Sequence, residues 1–385
     1  MINPRLTREP SPAEGAKPYR TLVLYGRATR LMHPTIALVV HSLEMPGGQG
    51  IQAGTLVNEL QNDGYEVIFL PINPRFPLGL RWLRRCPYAR TLLNQALYLP
   101  SLLRLRRADV AHIFSASYWS FLISPLPAIL VARSLGKRII LNYHSGEADD
   151  HLDRWGLFIH PWLKLVDEIV VPSEYLQNVF ARYGYQARVI QNVVDTSRFR
   201  YRERVPLQPR LLSTRNLEPH YRVDNTIEAF AILKTQYPEA TLTIAGSGSE
   251  ESTLRRLATS LGTSGIRFTG HVERLDVPAL YESADILVNS SVIDNQPISV
   301  LEAFATGLLV VSTGTGGIAT MVRDGETGLT VPAGDPPAMA KAIIRLLDDS
   351  QRALAMSRRA RREVQRHTWS EVSRQWAAVY EGRAA

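Results

Sequence analysis

Residues Ser290 to Ser312 read SSVIDNQPISVLEAFATGLLVVS. The apolar run ILVNS (Ile286–Ser290) precedes a polar turn, and LLVVS (Leu308–Ser312) closes the stretch. Between them the spacing predicts a short helix. Asn295 is placed to cap it, Pro297 suits its first turn, and Gly307 suits its end. N–H groups near Ser299 and Val300 then point out of the helix start, where the helix dipole favours an anion such as phosphate. Asp294 and Glu302 stand eight positions apart, one before the helix and one within it. A carboxylate at Glu302 accepts hydrogen bonds from sugar hydroxyls. Phosphate at a helix tip beside hydroxyls at an acid is nucleotide-sugar chemistry. An ordinary strand–turn–helix of an α/β core with surface acids fits the same residues.

Outward from this stretch, apolar strands and amphipathic helices alternate throughout. TIALVVHS (Thr35–Ser42), YEVIFLPI, DVAHIFS, KRIILNYH, EIVVPS and RVIQNVVD form a first series. RLLSTR, ATLTIAGSG, IRFTGHV, DILVNS, LLVVS and GLTVP form a second. The strands are continuous and rich in β-branched residues, as in parallel sheets covered on both faces. The expected fold class is α/β, with two Rossmann-like doubly wound domains facing across a cleft between strand C-termini. The first domain covers 34–200 and the second 205–367, with a last helix at 368–385 and an N-terminal extension at 1–33. Asp195–Pro209, rich in Arg and Pro, reads as the linker. Met1–Arg20 reads as a loose tail, and Thr21–Tyr25 as a strand-like run of uncertain place.

Composition narrows the function. Hydrophobic content of 45% across 385 residues is enough for sizeable cores. The single cysteine, Cys86, excludes an internal disulfide framework and a multi-cysteine metal site. No apolar run is long enough to span a bilayer, and the first residues lack the apolar core of a signal peptide. A cytoplasmic location is expected. The net charge of +8 occurs without any nucleic-acid module, so nucleic acid is not an expected partner. Arg81 to Arg107 holds seven arginines and no acid, interleaved with Trp82, Tyr88, Leu92, Leu99 and Leu103. That stretch is either a solvated basic face or an amphipathic surface for anionic lipid at the inner membrane face. Neither glycine run gives the dinucleotide fingerprint, which disfavours a nicotinamide dehydrogenase. No D-x-D element appears; Asp149 and Asp150, in EADD, read as a solvated loop.

Ordered motifs then carry a resemblance. GGQG, DVAH, NYH, VPSEYL, IQNVVD, STRNLEP, LTIAGSGSE, IRFTGHV, ADILVNSS, LEAFATGLLVVSTGTGG and DGETGLTVPAGD run from Thr35 to about Gly382. In this order they resemble the retaining, GT-B-fold glycosyltransferases of family GT4, the glycogen-synthase and phosphatidylinositol-mannosyltransferase superfamily. The resemblance implies transfer of a sugar from a UDP-, GDP- or ADP-sugar to a sugar or lipid-linked acceptor, in cell-envelope or polysaccharide and glycolipid synthesis, with no metal or other cofactor.

The resemblance also implies roles. Arg215 pairs with the diphosphate, and Arg222 supplies a second positive charge where the family has a lysine. Gly47, Gly48, Gly50 and Gly246 let backbone approach the donor, and Ser299 and Val300 offer it N–H groups. Glu302 holds the ribose. Asp294, with Asn295, touches the transferred sugar, although the family usually has the longer glutamate there. His144 lies near that sugar, so the catalytic candidates are His144, Asp294 and Arg215. The family's Pro-Glu pair after Gly316–Gly317 is replaced by Ala319–Thr320. The last helix, with Trp376 and Tyr380, resembles one that crosses back to the first domain. A nucleotide-sugar epimerase, a phosphorylase or a non-catalytic binding protein shares the architecture.

Overall fold

Each predicted apolar run becomes a strand in the computed structural model, which describes residues 33–42, 48–77, 79–80, 82, 86–115 and 117–383. The tail, the Thr21–Tyr25 run, Gly47, Arg81, Arg84 and Arg85 lie outside the described residues. The first series comprises β1 (Ile36–Val40), β2 (Val67–Pro71), β3 (Val110–Phe114), β4 (Arg138–Asn142), β5 (Glu168–Val171) and β6 (Ala187–Val189). The second comprises β7 (Arg210–Ser213), β8 (Thr241–Ala245), β9 (Ile266–Gly270), β10 (Ile286–Asn289), β11 (Leu309–Thr313) and β12 (Leu329–Val331). The helices of the first part are α1 (Gly48–Asn62), α2 (Pro87–Ser101), α3 (Trp119–Ile123), α4 (Pro125–Ser134), α5 (Ala148–Arg154), α6 (Gly156–Leu163) and α7 (Glu174–Arg182). Those of the second are α8 (Val223–Gln236), α9 (Glu251–Ser260), α10 (Val277–Ser283), α11 (Ile298–Thr306), α12 (Ile318–Met321), α13 (Pro336–Asp348), α14 (Ser350–Val364) and α15 (Trp369–Tyr380).

Two parallel six-stranded sheets result, ordered β2-β1-β3-β4-β5-β6 and β12-β11-β10-β7-β8-β9. Both faces of each are covered, which is why the strands carry little polar alternation: β1, β3 and β11 are buried along their whole length. In β1, Ala37 and Val39 join one apolar cluster while Ile36, Leu38 and Val40 join another, the period of two that strand geometry imposes. The direction in which successive strands are added reverses between β1 and β3 in the first sheet and between β7 and β10 in the second. Such switch points open a crevice at the strand C-termini. The loops after β1, β3, β7 and β10 are therefore the natural walls of a site.

Helix α15 returns to the first sheet. Val372, Trp376, Val379 and Tyr380, one helical face, pack in the cluster holding Ile36, Leu38 and Val40. The Trp369 indole donates to Asp63 at 2.8 Å, and the Tyr380 hydroxyl meets His112 Nδ1 at 2.9 Å. The segment between β6 and β7 is fastened to the second sheet by a buried acid. Asp285 accepts from Arg202 at 3.2 Å and from Arg210 at 2.9 Å, and lies 3.4 Å from the buried Arg204. A buried carboxylate needs such partners to offset its lost hydration.

Local expectations needed correction. Asn295 does not cap α11: the helix starts at Ile298 with Pro297 before it, and no side chain caps it. The Asn295 amide oxygen instead accepts from Ser173 Oγ of the other lobe. Gly307 ends the helix in the left-handed region, as its sequence position predicts. EADD is not a loop. Asp149 and Asp150 open α5, where Asp150 pairs with Arg154 at 2.8 Å and Asp149 with Arg182 at 3.0 Å. Among the described residues no helix is long and apolar enough to cross a membrane.

Candidate active site

The two switch points face each other across a cleft with two compartments, of about 410 Å³ and about 500 Å³. Gly48, Arg215, Tyr221 and Ile298 border both. The first lies against the second sheet and includes Thr214, Gly246, Ser299 and Glu302, with Gly50 from α1. The second lies toward the first sheet and includes His41, Gln49, Tyr118, His144 and Glu147, with Asp294 and Asn295 at its far wall.

Glycine shapes the floor. A Cβ on Gly246, at φ +150, would sit 2.2 Å from the Arg215 carbonyl oxygen, so only glycine lets the β8 loop lie against the β7 loop. Gly48 faces the first turn of α11, where a Cβ would meet Ile298 at 3.6 Å. Gly316 and Gly317 admit the backbone of the 292–297 loop: a Cβ on either would lie 2.1 Å from the Asp294 carbonyl or 2.3 Å from that of Asn295. Close backbone packing thus survives where the Pro-Glu pair is replaced.

That loop is gripped from both lobes. Asn192 donates its backbone N–H to Gln296 Oε1 at 2.6 Å and its side-chain amide to the Gln296 carbonyl at 3.0 Å. Thr313 and Thr315 donate to the Ser291 carbonyl at 2.5 and 2.9 Å. The grip fixes Asp294, whose carboxylate takes a hydrogen bond from Arg215 Nη2. Arg215 also lies 3.4 Å from Ser299 Oγ and 4.1 Å above the Tyr221 ring. Its Nε is buried without a partner among the described residues. The guanidinium, the tip of α11 and Asp294 therefore meet at one point.

Glu302 lies one turn further along α11. Its carboxylate accepts from the buried Tyr281 hydroxyl at 2.7 Å, and that hydroxyl lies 3.0 Å from Thr214 Oγ1. Burial pushes the Glu302 carboxyl up to about 7, against the opposing pull of Tyr281, Arg198 and Arg274. His144 stacks on Phe114 with centroids 5.2 Å apart, and burial pushes it down to about 4. It is a neutral imidazole near pH 7, with Nε2 buried and unpartnered among the described residues.

Thus Arg215, Gly48, Ser299, Asp294 and Glu302 converge, with Gly50 and Gly246 in the wall of the first compartment and His144, Asp294 and Asn295 lining the second. Two predicted residues stand otherwise. Arg222 adopts φ 45, bonds Asp224 at 2.9 Å and borders neither compartment, whereas Tyr221 borders both. The Val300 amide is occupied by the Pro297 carbonyl at 3.1 Å, leaving Ser299 at the tip. Tyr281, Thr214, Arg198 and Arg274 were missed, since nothing in spacing ties residues so far apart to Glu302.

The chain resembles known proteins in sequence and in fold. The family described as "Glycosyl transferases group 1" matches residues 197–363, and "Glycosyltransferase Family 4" matches residues 46–198. Glycogen synthase of Mycobacterium tuberculosis is 30% identical over 293 residues, covering 71% of this chain and 69% of that protein. Phosphatidyl-myo-inositol mannosyltransferase of Mycolicibacterium smegmatis is 26% identical over 369 residues, 89% of this chain and 92% of its own. Among solved structures, Anabaena HepE in complex with UDP and glucose superposes with a TM-score of 0.71 at 17% identity, covering 91% of this chain and 100% of HepE. Sucrose-phosphate synthase of Thermosynechococcus elongatus gives 0.70 at 20% identity, covering 91% and 98%. The paired six-stranded sheets are those of the GT-B fold, and the chain belongs to the group 1 glycosyltransferases of family 4.

Proposed function

We propose that the chain moves a sugar from a nucleoside-diphosphate donor to a hydroxyl acceptor with retention of anomeric configuration. The observation that carries this is the convergence of Arg215, the α11 tip at Ser299 and the Glu302 carboxylate on one cavity. In this reading the ribose hydroxyls donate to Glu302 and the diphosphate lies between Arg215 and the helix tip. A planar guanidinium suits phosphate oxygens, and the helix tip adds positive potential. The transferred sugar occupies the junction beside Asp294 and His144, and the acceptor fills the second compartment.

The bond from the anomeric carbon to the diphosphate oxygen breaks as the acceptor oxygen bonds to the same face of that carbon. The acceptor proton passes to a leaving diphosphate oxygen. Arg215 and α11 stabilise the charge that develops there, and no side chain need act as nucleophile. Neutral His144 accepts or donates hydrogen bonds to sugar hydroxyls without adding charge. HepE is described bound to UDP-glucose and the pneumococcal GtfA with UDP and GlcNAc, which supports a nucleotide-sugar donor. Slow hydrolysis of the donor by water tests the reading. Wild type should release nucleoside diphosphate from one of UDP-, GDP- or ADP-sugars, and Glu302→Ala should lower that rate; identical background in both refutes it.

We also place the protein in the cytoplasm, in envelope, polysaccharide or glycolipid synthesis, touching an anionic membrane through α2 and the 3-10 turn that follows it, Leu102–Arg107. Tyr88 and Leu92 there are 88% and 72% exposed, with Leu99 and Leu103 also open. Arg90, Arg104, Arg106 and Arg107 are exposed around them, and the stretch carries no acid. Apolar side chains ringed by arginine suit an anionic headgroup layer.

A further inference from the structure

Tyr118 stands in the wall of the second compartment. From that ring an aromatic path runs outward: Tyr118 to Trp155 at 6.0 Å, Trp155 to Trp119 at 5.0 Å, and Trp155 to Phe158 at 6.1 Å between centroids. Trp119 and Trp155 stand at 84° to each other, forming a corner of two indoles. Trp119 is 69% exposed and opens to solvent beside the compartment wall formed by Ser117, Tyr118 and Ser120. Packing does not account for so exposed an indole, although Trp155 behind it is seated on the first sheet's core.

Tyr118 itself is strained. At φ 54 and ψ −133 it holds a backbone conformation that side-chain-bearing residues rarely adopt. Its hydroxyl donates to Asp150 at 2.7 Å and its ring meets the His151 edge at 5.2 Å, so the surroundings hold the strain in place. Strain that is held in this way concentrates at ligand clamps.

Charge decides what the corner takes. Glu147, Asp149, Asp150 and Asp153 lie on or beside α5, and the neighbouring Arg154 and Arg182 are paired with Asp150 and Asp149. This face repels anionic headgroups, unlike that of α2. An uncharged pyranose suits it: its C–H face is apolar and weakly positive and lies on the negative face of an indole, while its hydroxyls reach serines and acids at the edge.

We propose that Trp119 and Trp155 form a subsite for the sugar next to the one that reacts, so that the acceptor is an uncharged oligosaccharide. This rests on the second compartment being the acceptor site. The test is binding of the full chain to immobilised neutral mono-, di-, tri- and tetrasaccharides and to alkyl glycosides of increasing tail length. Wild type, Trp119→Ala and Trp119→Phe are compared. Wild type should retain one saccharide series about tenfold better from two sugars upward, the size of one aromatic stacking contact. Trp119→Ala should lose that gain and Trp119→Phe should recover part of it. Retention independent of sugar number, a gain unchanged in Trp119→Ala, binding to no saccharide, or retention that follows tail length instead would each overturn the proposal. Thermal shift with nucleotide sugars on the same samples separates the two readings: a missing shift removes the donor site and leaves the saccharide result standing by itself.

Discussion

Arg215 and Asp294 hold each other across the junction of the two compartments, with side chains only 11% and 15% exposed. They arrive on loops after β7 and β10, the two strands that flank the second sheet's switch point. The basic group that would meet a diphosphate is thus already bonded to the acid that would meet the transferred sugar. A donor must exchange that partner for its own phosphate.

Asp294→Asn removes the competitor while keeping the shape. Nucleoside diphosphate alone should bind about three- to tenfold more tightly, because Arg215 no longer exchanges a charged hydrogen bond. Transfer should slow by about a hundredfold, the scale of losing one group placed at a reacting centre. Calorimetric titration of the diphosphate and initial rates with the donor measure the two. Weaker binding together with unchanged rate would show that the pair has no part in donor handling.

Glu302 gives a signature in pH. Desolvation in the cavity wall pushes its half-buried carboxyl up to about 7 from the ordinary 4.5. The native state therefore holds a proton that the unfolded chain has released, and stability falls as pH rises between those values, by roughly 3 kcal/mol. Below 7 the protonated acid loses acceptor capacity, so donor KM should rise there. Glu302→Gln should flatten both profiles. Tyr281→Phe removes a hydrogen bond that pulls this carboxyl down, so the inflection in KM should move to higher pH. Denaturation midpoints and donor KM from pH 5 to 8 check each step.

Most of the fold was legible because parallel strands buried on both faces leave unbroken apolar runs, and all twelve strands appear among the described residues. The α11 end was legible from Gly307, a local requirement. What the local pattern does not show is which side chains pair once the chain has folded. Asn295 looked like a cap, but Ser173, 122 positions away, takes its oxygen. Arg222 was read as a second positive charge for the donor; in the fold it adopts φ 45 and pairs with Asp224, two positions on, while the Tyr221 ring lies under Arg215. Tyr281 sits in α10, and only folding brings it to Glu302. Such relations have no spacing to read.

The returning helix is a structural tie with a measurable share of stability. Trp376 is 5% exposed and packs against His112 at 4.9 Å, so Trp376→Ala should cost about 3–5 kcal/mol. A chain ending at His367 strips cover from β1 and should lose activity through weakened pairing of the lobes. Denaturant unfolding and donor hydrolysis report these effects; full activity in the shortened chain would contradict the assigned role.

The basic surface formed by α2 and the 3-10 turn after it, Leu102–Arg107, should bind vesicles holding anionic lipid at low salt and release them at high salt. Arg104→Glu with Arg107→Glu should weaken co-sedimentation by tenfold or more, given about 1 kcal/mol per basic residue at the surface. Absence of binding at low salt would leave α2 as a solvated face.

The central claim is that the cleft between the two switch points holds a nucleotide sugar through Arg215, Ser299 and Glu302. Thermal unfolding of wild type and Glu302→Ala with UDP-, GDP- and ADP-sugars tests it most directly, because a ligand of the folded state raises the midpoint. One donor should raise the wild-type midpoint by on the order of 5 °C at about a hundredfold excess over Kd, and Glu302→Ala should lose most of that rise. No shift with any of the three, or equal shifts in both proteins, would contradict the account.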